Sequence, residues 1–123
     1  MADTSNHTIR QVVIATGVVT TLAGTAGSSG STDATGTAAM FRSPYGITTD
    51  GTNLYVTDGD NHTIRKIVIA TGVVTTLAGT AGLSGSTDAT GTAARFYYPF
   101  GITTDGTNLY VADGDNQTIR VID

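Results

Sequence analysis

Apolar and polar positions along this chain fall into short bursts that break at glycine-containing turns. Pro44–Asp50 (PYGITTD) and Asn53–Thr57 (NLYVT) are two such bursts, separated by the turn Asp50-Gly51-Thr52-Asn53. His62–Ala70 (HTIRKIVIA) follows the turn Asp58-Gly59-Asp60-Asn61, and Val73–Ala78 (VVTTLA) follows Thr71-Gly72. Each burst is rich in β-branched residues and no longer than a typical strand. The spacing therefore predicts four short antiparallel strands joined in order as a meander. Asn53–Val56 and Lys66–Ala70 do not alternate: they carry apolar residues or Tyr on both faces. Such a sheet is covered on both sides, which a lone meander cannot achieve.

The pattern recurs. The segment Asn6 to Asp60 returns from Asn61 to Asp115, a period of 55 residues, and a third copy opens at Asn116 and reaches Asp123. The two full copies differ only at Gln11/Lys66, Val12/Ile67, Ser28/Leu83, Met40/Arg95, Arg42/Tyr97, Ser43/Tyr98, Tyr45/Phe100 and Thr57/Ala112. Near-identity at this period marks repeated supersecondary units. Four-stranded units stacked face to face around an axis cover both sides of each sheet, so the expected fold is all-β, with β-propeller blades.

Long Gly/Ser/Thr-rich stretches, Gly24–Met40 and Gly79–Arg95, join the units. Each ends in Ala-Ala-X-Phe, which predicts an ordered crossing that pins Phe41 or Phe96 ahead of the next first strand. The chain then divides into a tail at 1–5, strands three and four of a split blade at 6–23, and a connection at 24–43. A complete blade at 44–79, a second connection at 80–98, and three strands of another split blade at 99–123 complete it.

Composition narrows the chemistry. Six basic residues against ten acidic ones, all Asp, give a net charge of −4. An acidic surface with scattered Arg lacks the basic patch that nucleic acid or an anionic membrane requires. With no cysteine there is no disulfide framework and no thiolate chemistry, a state compatible with any redox compartment. No apolar run approaches the roughly 18 residues of a membrane span, and Met1–Ser5 starts no signal-peptide apolar region. A soluble protein is expected. Its compartment stays open, and a longer parent could be exported.

The motifs Pro44-Tyr45-Gly46-Ile47, Asn53-Leu54-Tyr55-Val56, Asp58-Gly59-Asp60-Asn61-His62-Thr63-Ile64-Arg65 and Val73–Gly79 resemble those of NHL-repeat β-propellers. The second copy repeats them from Pro99-Phe100-Gly101-Ile102 and Asn108-Leu109-Tyr110-Val111 onward. The signature Asn-His pair stands at Asn6-His7 and Asn61-His62, whereas the third copy has Asn116-Gln117. The resemblance runs from Asn6 to Ile122 and implies a ring of blades, commonly six.

Two blade equivalents leave open faces and edges, so ring closure by homo-oligomerisation is the expectation. Three copies would close six blades, and four copies, the second choice, would close eight. The shared blade would combine Pro99–Ala112 of one copy with Val18–Ala23 of the next. Asn6–Ile14 and Asn116–Ile122 compete for its third strand, and the sequence leaves that choice open. The interface is expected at Asn6, Ile9, Ile14, Val18 and Leu22 on one end, and at Leu109, Val111, Ile119 and Ile122 on the other.

Candidate chemistry is sparse. His7 and His62 occupy one repeat position, filled by Gln117 in the next copy, so they suit a structural role better than a triad or metal cage. Asp58-Gly59-Asp60 and Asp113-Gly114-Asp115 lack the further ligands of a calcium loop and are expected to accept backbone N–H groups in the turn. The sequons at Asn6, Asn61 and Asn116 coincide with the repeat signature. No catalytic residue, metal site or cofactor is expected. A channel-metal lyase or lactonase, the weakest alternative, needs distinct ligands from different blades, and inward positions offer small groups such as Thr48-Thr49. Four of the eight differences cluster between residues 40 and 45 and their partners. Arg42, Tyr45, Arg95, Tyr97, Tyr98 and Phe100 are therefore the candidate ligand surface, for a protein or glycan. The expected function is a non-enzymatic binding scaffold. The alternative is a structural or engineered object whose sole activity is self-assembly.

Overall fold

The computed structural model describes residues 1–123 and contains ten strands in three antiparallel sheets, with no α-helix. No helix is therefore long and apolar enough to cross a membrane. The central sheet is the complete blade: β4 (Pro44–Thr49), β5 (Asn53–Asp58), β6 (Thr63–Val68) and β7 (Val74–Ala78), hydrogen-bonded in that order. Its hairpin turns use the chemistry the sequence offers. Asp50 accepts the N–H groups of Thr52 and Asn53 at 2.9 and 2.8 Å, while Gly51 takes a φ of 92° that a β-branched residue resists.

The C-terminal sheet holds β8 (Pro99–Thr104), β9 (Leu109–Asp113) and β10 (Thr118–Ile122), the first three strands of a blade. The N-terminal sheet holds β2 (Thr8–Val12) and β3 (Val19–Ala23), as expected of strands three and four. It also holds β1, Ala2–Asp3, where a tail was expected. β1 pairs with β2 as Ala2 with Ile9 and Asp3 with Thr8, the register in which Thr57 meets Ile64 and Asp58 meets Thr63. The repeat thus reaches back to residue 2. Ala2-Asp3 matches Ala112-Asp113 and ends a second strand, so the first residues are paired rather than loose.

Apolar clusters between the sheets hold the units together. Ile9, Phe41, Val56, Ile67 and Val74 are buried between the first and second sheets. Ile64, Ala78, Phe96 and Val111 are buried between the second and third. β6 sends Ile67 into one cluster and Ile64 into the other, because residues three apart in a regular strand point to opposite faces and β6 pairs with β5 without interruption. That is the physical reason its sequence does not alternate cleanly.

The Gly24–Met40 connection is ordered and bonds to the central blade through its Ala34–Gly36 stretch. Val74 donates its N–H to the Ala34 carbonyl at 2.8 Å, Gly36 donates to Gly72 at 2.9 Å, and Thr35 bridges Val73. A 3-10 turn at Gly36–Ala38 then delivers Phe41 into the core with no exposed surface. The second connection repeats this turn at Gly91–Ala93 ahead of Phe96.

Candidate binding site

A buried polar frame underlies the candidate surface. In the central blade Arg65 donates from Nη1 to Asp58 Oδ2 at 2.8 Å and to the Met40 carbonyl at 2.7 Å. From Nη2 it donates to the Thr32 carbonyl at 3.0 Å and to Asp33 Oδ1 at 2.8 Å, and its guanidinium lies 4.8 Å from the Phe41 ring centre. Asn61 donates to Asp58 Oδ2 at 2.8 Å. One side chain thus ties a blade to the connection entering it. The third sheet repeats the set with Arg120, Asp113, Asn116, Asp88 and Phe96. In the first sheet Arg10 reaches only Asp3, at 2.9 Å, with Asn6 beside it.

Asp58 therefore accepts from the side chains of Asn61 and Arg65 and from the N–H of Arg42, not from backbone N–H groups of its own turn as expected. Its burial raises the carboxyl above its ordinary range, opposed by Asn61 first and then by Arg65. Asp60 makes no side-chain hydrogen bond; the 3-10 turn Gly59–Asn61 closes through backbone groups instead.

This frame aims the rim. Arg42 N–H donates to Asp58 Oδ1 at 2.7 Å, and Tyr97 N–H donates to Asp113 Oδ1 at 2.8 Å. One residue later, Ser43 and Tyr98 have φ values of 53° and 49°. A left-handed tyrosine costs on the order of 1–3 kcal/mol unless its surroundings hold it. Here His62 Nδ1 accepts the Tyr98 N–H at 3.1 Å, and His7 Nδ1 accepts that of Ser43 at 3.0 Å. The histidines are braces between neighbouring blades. Burial lowers the His62 pKa, with Asp60 foremost among the carboxylates opposing it.

The aromatic candidates converge on one corner. Tyr45 and Phe100 pack with ring centres 4.7 Å apart, each about two-fifths exposed. Tyr98 lies 4.6 Å from His62 and 5.4 Å from Tyr97, whose ring is 38% exposed. Tyr45 lies over Gly59, where an added Cβ would come within 2.4 Å of the ring, and Phe100 lies over Gly114 in the same way. Both turns need glycine for room. Arg42 is exposed beside this group, and its charge bears on His62.

Arg95 does not join the aromatics. Its Nη1 donates to the Thr92 and Ala94 carbonyls at 2.8 and 2.9 Å, capping its own connection. Three expected interface residues are likewise committed: Ile9, Leu109 and Val111 are buried within the chain. Ile14, Val18 and Ile119 are widely exposed, Asn6 is exposed, and Leu22 and Ile122 are half-buried.

Sequence reasoning missed the Asp-Asn-Arg frame. Its signal was present as Asp, Asn three residues on and Arg seven residues on, at Asp3, Asp58 and Asp113.

No protein-family model matches the chain. Over its whole length it is 35% identical to NHL repeat-containing protein 2 of Homo sapiens, of which it spans 18%. Among solved structures, a structural genomics protein of unknown function from Bacteroides thetaiotaomicron matches 98% of the chain. The TM-score is 0.91 at 28% identity, and 31% of that protein is covered. An auxiliary nutrient binding protein from the same species matches 98% of the chain at TM-score 0.78 and 26% identity, with 33% of its own length covered. The chain thus spans under a fifth of the curated relative and about a third of each solved structure.

Proposed function

We propose that this chain, which belongs to the NHL-repeat β-propellers, is a non-enzymatic binding scaffold whose copies associate into a closed ring. The carrying observation is the rim corner, where exposed Tyr45, Phe100 and Tyr97 stand on a buried frame that fixes their backbone. Preorganised aromatic surface binds at low entropic cost, and aromatic residues dominate binding energetics in such patches. A neighbour that is a nutrient binding protein supports the binding role. The ligand class is a protein surface or a glycan, both of which engage exposed tyrosine and phenylalanine. Outside the eight differing positions the two copies hold identical groups, which supports binding over catalysis.

The ring reading is supported by the apolar residues exposed at the two outer sheets, Ile14 and Val18 beside one and Ile119 and Val121 on the other. Three copies supply six blades. Native mass spectrometry tests this: three times 12.5 kDa is expected, four times that mass would indicate eight blades, and a stable monomer would remove the ring. Glycan-array and peptide-array screening tests the site. A ligand whose affinity is unchanged by Tyr97→Ala and by Tyr45→Ala would place binding elsewhere.

A further inference from the structure

A trough of about 670 Å³ runs along the outer edge of the third sheet, between β10 and the connection at Asp88–Gly91. The same two walls occur in the complete blade as β6 and the connection at Asp33–Gly36. There β7 fills the space and bonds on both sides. On its inner edge Lys66 faces Thr75 and Ile67 faces Val74. On its outer edge Val74 N–H donates to Ala34, and Thr76 donates from N–H and Oγ1 to Asp33, both at 3.1 Å.

The walls of the trough are already set as in the filled seat. Arg120 holds Asp113, the Arg95 carbonyl, the Thr87 carbonyl and Asp88 at 2.7 to 3.0 Å, matching Arg65 partner for partner. Asp88 nevertheless has 91% of its side chain exposed, against 44% for Asp33. In the complete blade the corresponding seat is occupied by β7. β3 reads Val-Thr-Thr-Leu-Ala, identical to β7.

We infer that β3 of a second copy fills this trough as the fourth strand of a shared blade, with β10 kept as its third strand and the incoming β3 released from its own β2. This rests on the ring reading and decides the competition for the third strand. Three observations favour β10. Phe100 packs onto Gly114, whereas the N-terminal copy has Thr4 there, at a position where a Cβ comes within 2.4 Å of the ring. Ile122 matches the fully buried Ile67, whereas β2 offers the smaller Val12. Arg120 already holds the connection, whereas Arg10 holds Asp3 alone. Thr8-Ile9-Arg10 and Thr118-Ile119-Arg120 are the same tripeptide, so Ile119, 71% exposed in the single chain, can take the place of Ile9 in the next copy's core. β2 is then a placeholder that covers β3 until a partner arrives.

Engineered disulfides test this, because the chain has no cysteine of its own. In the preassembled oligomer, Val121→Cys with Thr20→Cys reports β10 beside a partner's β3, by analogy with Lys66 and Thr75. Gln11→Cys with Thr20→Cys reports the retained hairpin, whose register places those residues opposite one another. Covalent multimers from the first pair, with free thiols persisting in the second, are expected on non-reducing gels. Ring-sized oligomers in which the second pair closes within single chains, and the first does not link them, would overturn the inference and leave the ring intact. A wild-type chain that stays monomeric by native mass would overturn both.

Discussion

Arg65 and Asp58 meet at 2.8 Å with side chains 1% and 0% exposed, so a fully desolvated ion pair sits at the heart of a blade whose sequence is mostly Thr, Gly and Val. Such a pair persists because both terminal nitrogens of Arg65 and both oxygens of Asp58 are engaged, with Asn61, the Arg42 N–H, Thr32, Asp33 and Met40 as the other partners, and Arg65 Nε alone is left without one. Removing one partner strands a buried charge, which typically costs about 3–5 kcal/mol. Asp58→Ala is therefore expected to lower the denaturation midpoint severely. Asp3→Ala, whose Arg10 partner is about a third exposed, is expected to cost far less. Guanidinium melts at matched protein concentration compare the two, and equal losses would contradict the frame.

His62→Ala removes the acceptor of the Tyr98 N–H and is expected to destabilise by roughly 1–3 kcal/mol, the penalty for a polar group left unpaired. His62→Gln should recover most of this, because Gln117 occupies the same position in the third copy. His62 also contributes a pH dependence. Its folded pKa lies below the ordinary value of 6.5, so the unfolded chain binds the proton more readily. The stability it contributes is fully present above 6.5 and is lost as pH falls below that value. Thermal melts between pH 8 and pH 5 should show this slope reduced in His62→Gln.

Asp50 behaves in the usual carboxylate sense. The N–H groups of Asn53 and Thr52 and the Tyr55 hydroxyl lower it from 3.8 to about 2. Its stabilisation is present above 3.8 and disappears as pH falls through about 2. Asp105 repeats the arrangement and is lowered for the same reasons. The double variant Asp50→Asn, Asp105→Asn is expected to flatten the loss of melting temperature between pH 4 and pH 2. An unchanged acid slope would assign it to other carboxylates.

Gly59→Ala should disturb the rim without touching the frame. The new Cβ meets the Tyr45 ring at 2.4 Å, so the ring must swing away from Phe100. The expected cost is about 1–3 kcal/mol of overpacking, with a change in near-ultraviolet circular dichroism from the displaced tyrosine. Tyr97→Ala removes an exposed ring and is expected to shift stability by no more than about 0.5 kcal/mol. A large loss there would recast Tyr97 as a packing residue.

Repetition made the blade legible. Strand order, the hairpin turns at Asp50 and Thr71, and the burial of Phe41 and Phe96 all follow from local pattern repeated at a constant period. The aromatic part of the rim was legible too, because variation between near-identical copies concentrates at Tyr45/Phe100 and Ser43/Tyr98. Arg95 misled because a charged residue beside an aromatic run reads as surface. Only the fold shows it turned back onto the carbonyls of its own connection.

What the sequence determined by itself is the unit: four strands, their order, and the sides each must bury, since periodicity and turn chemistry act over neighbouring residues. What the tertiary structure decided is everything that joins units. Asp33 and Arg65 are 32 residues apart, and Ser43 and His7 are 36 apart. No local rule brings such residues together. Their meeting depends on how one sheet packs against the next, and that packing turns a polar connection into a wall and two histidines into braces.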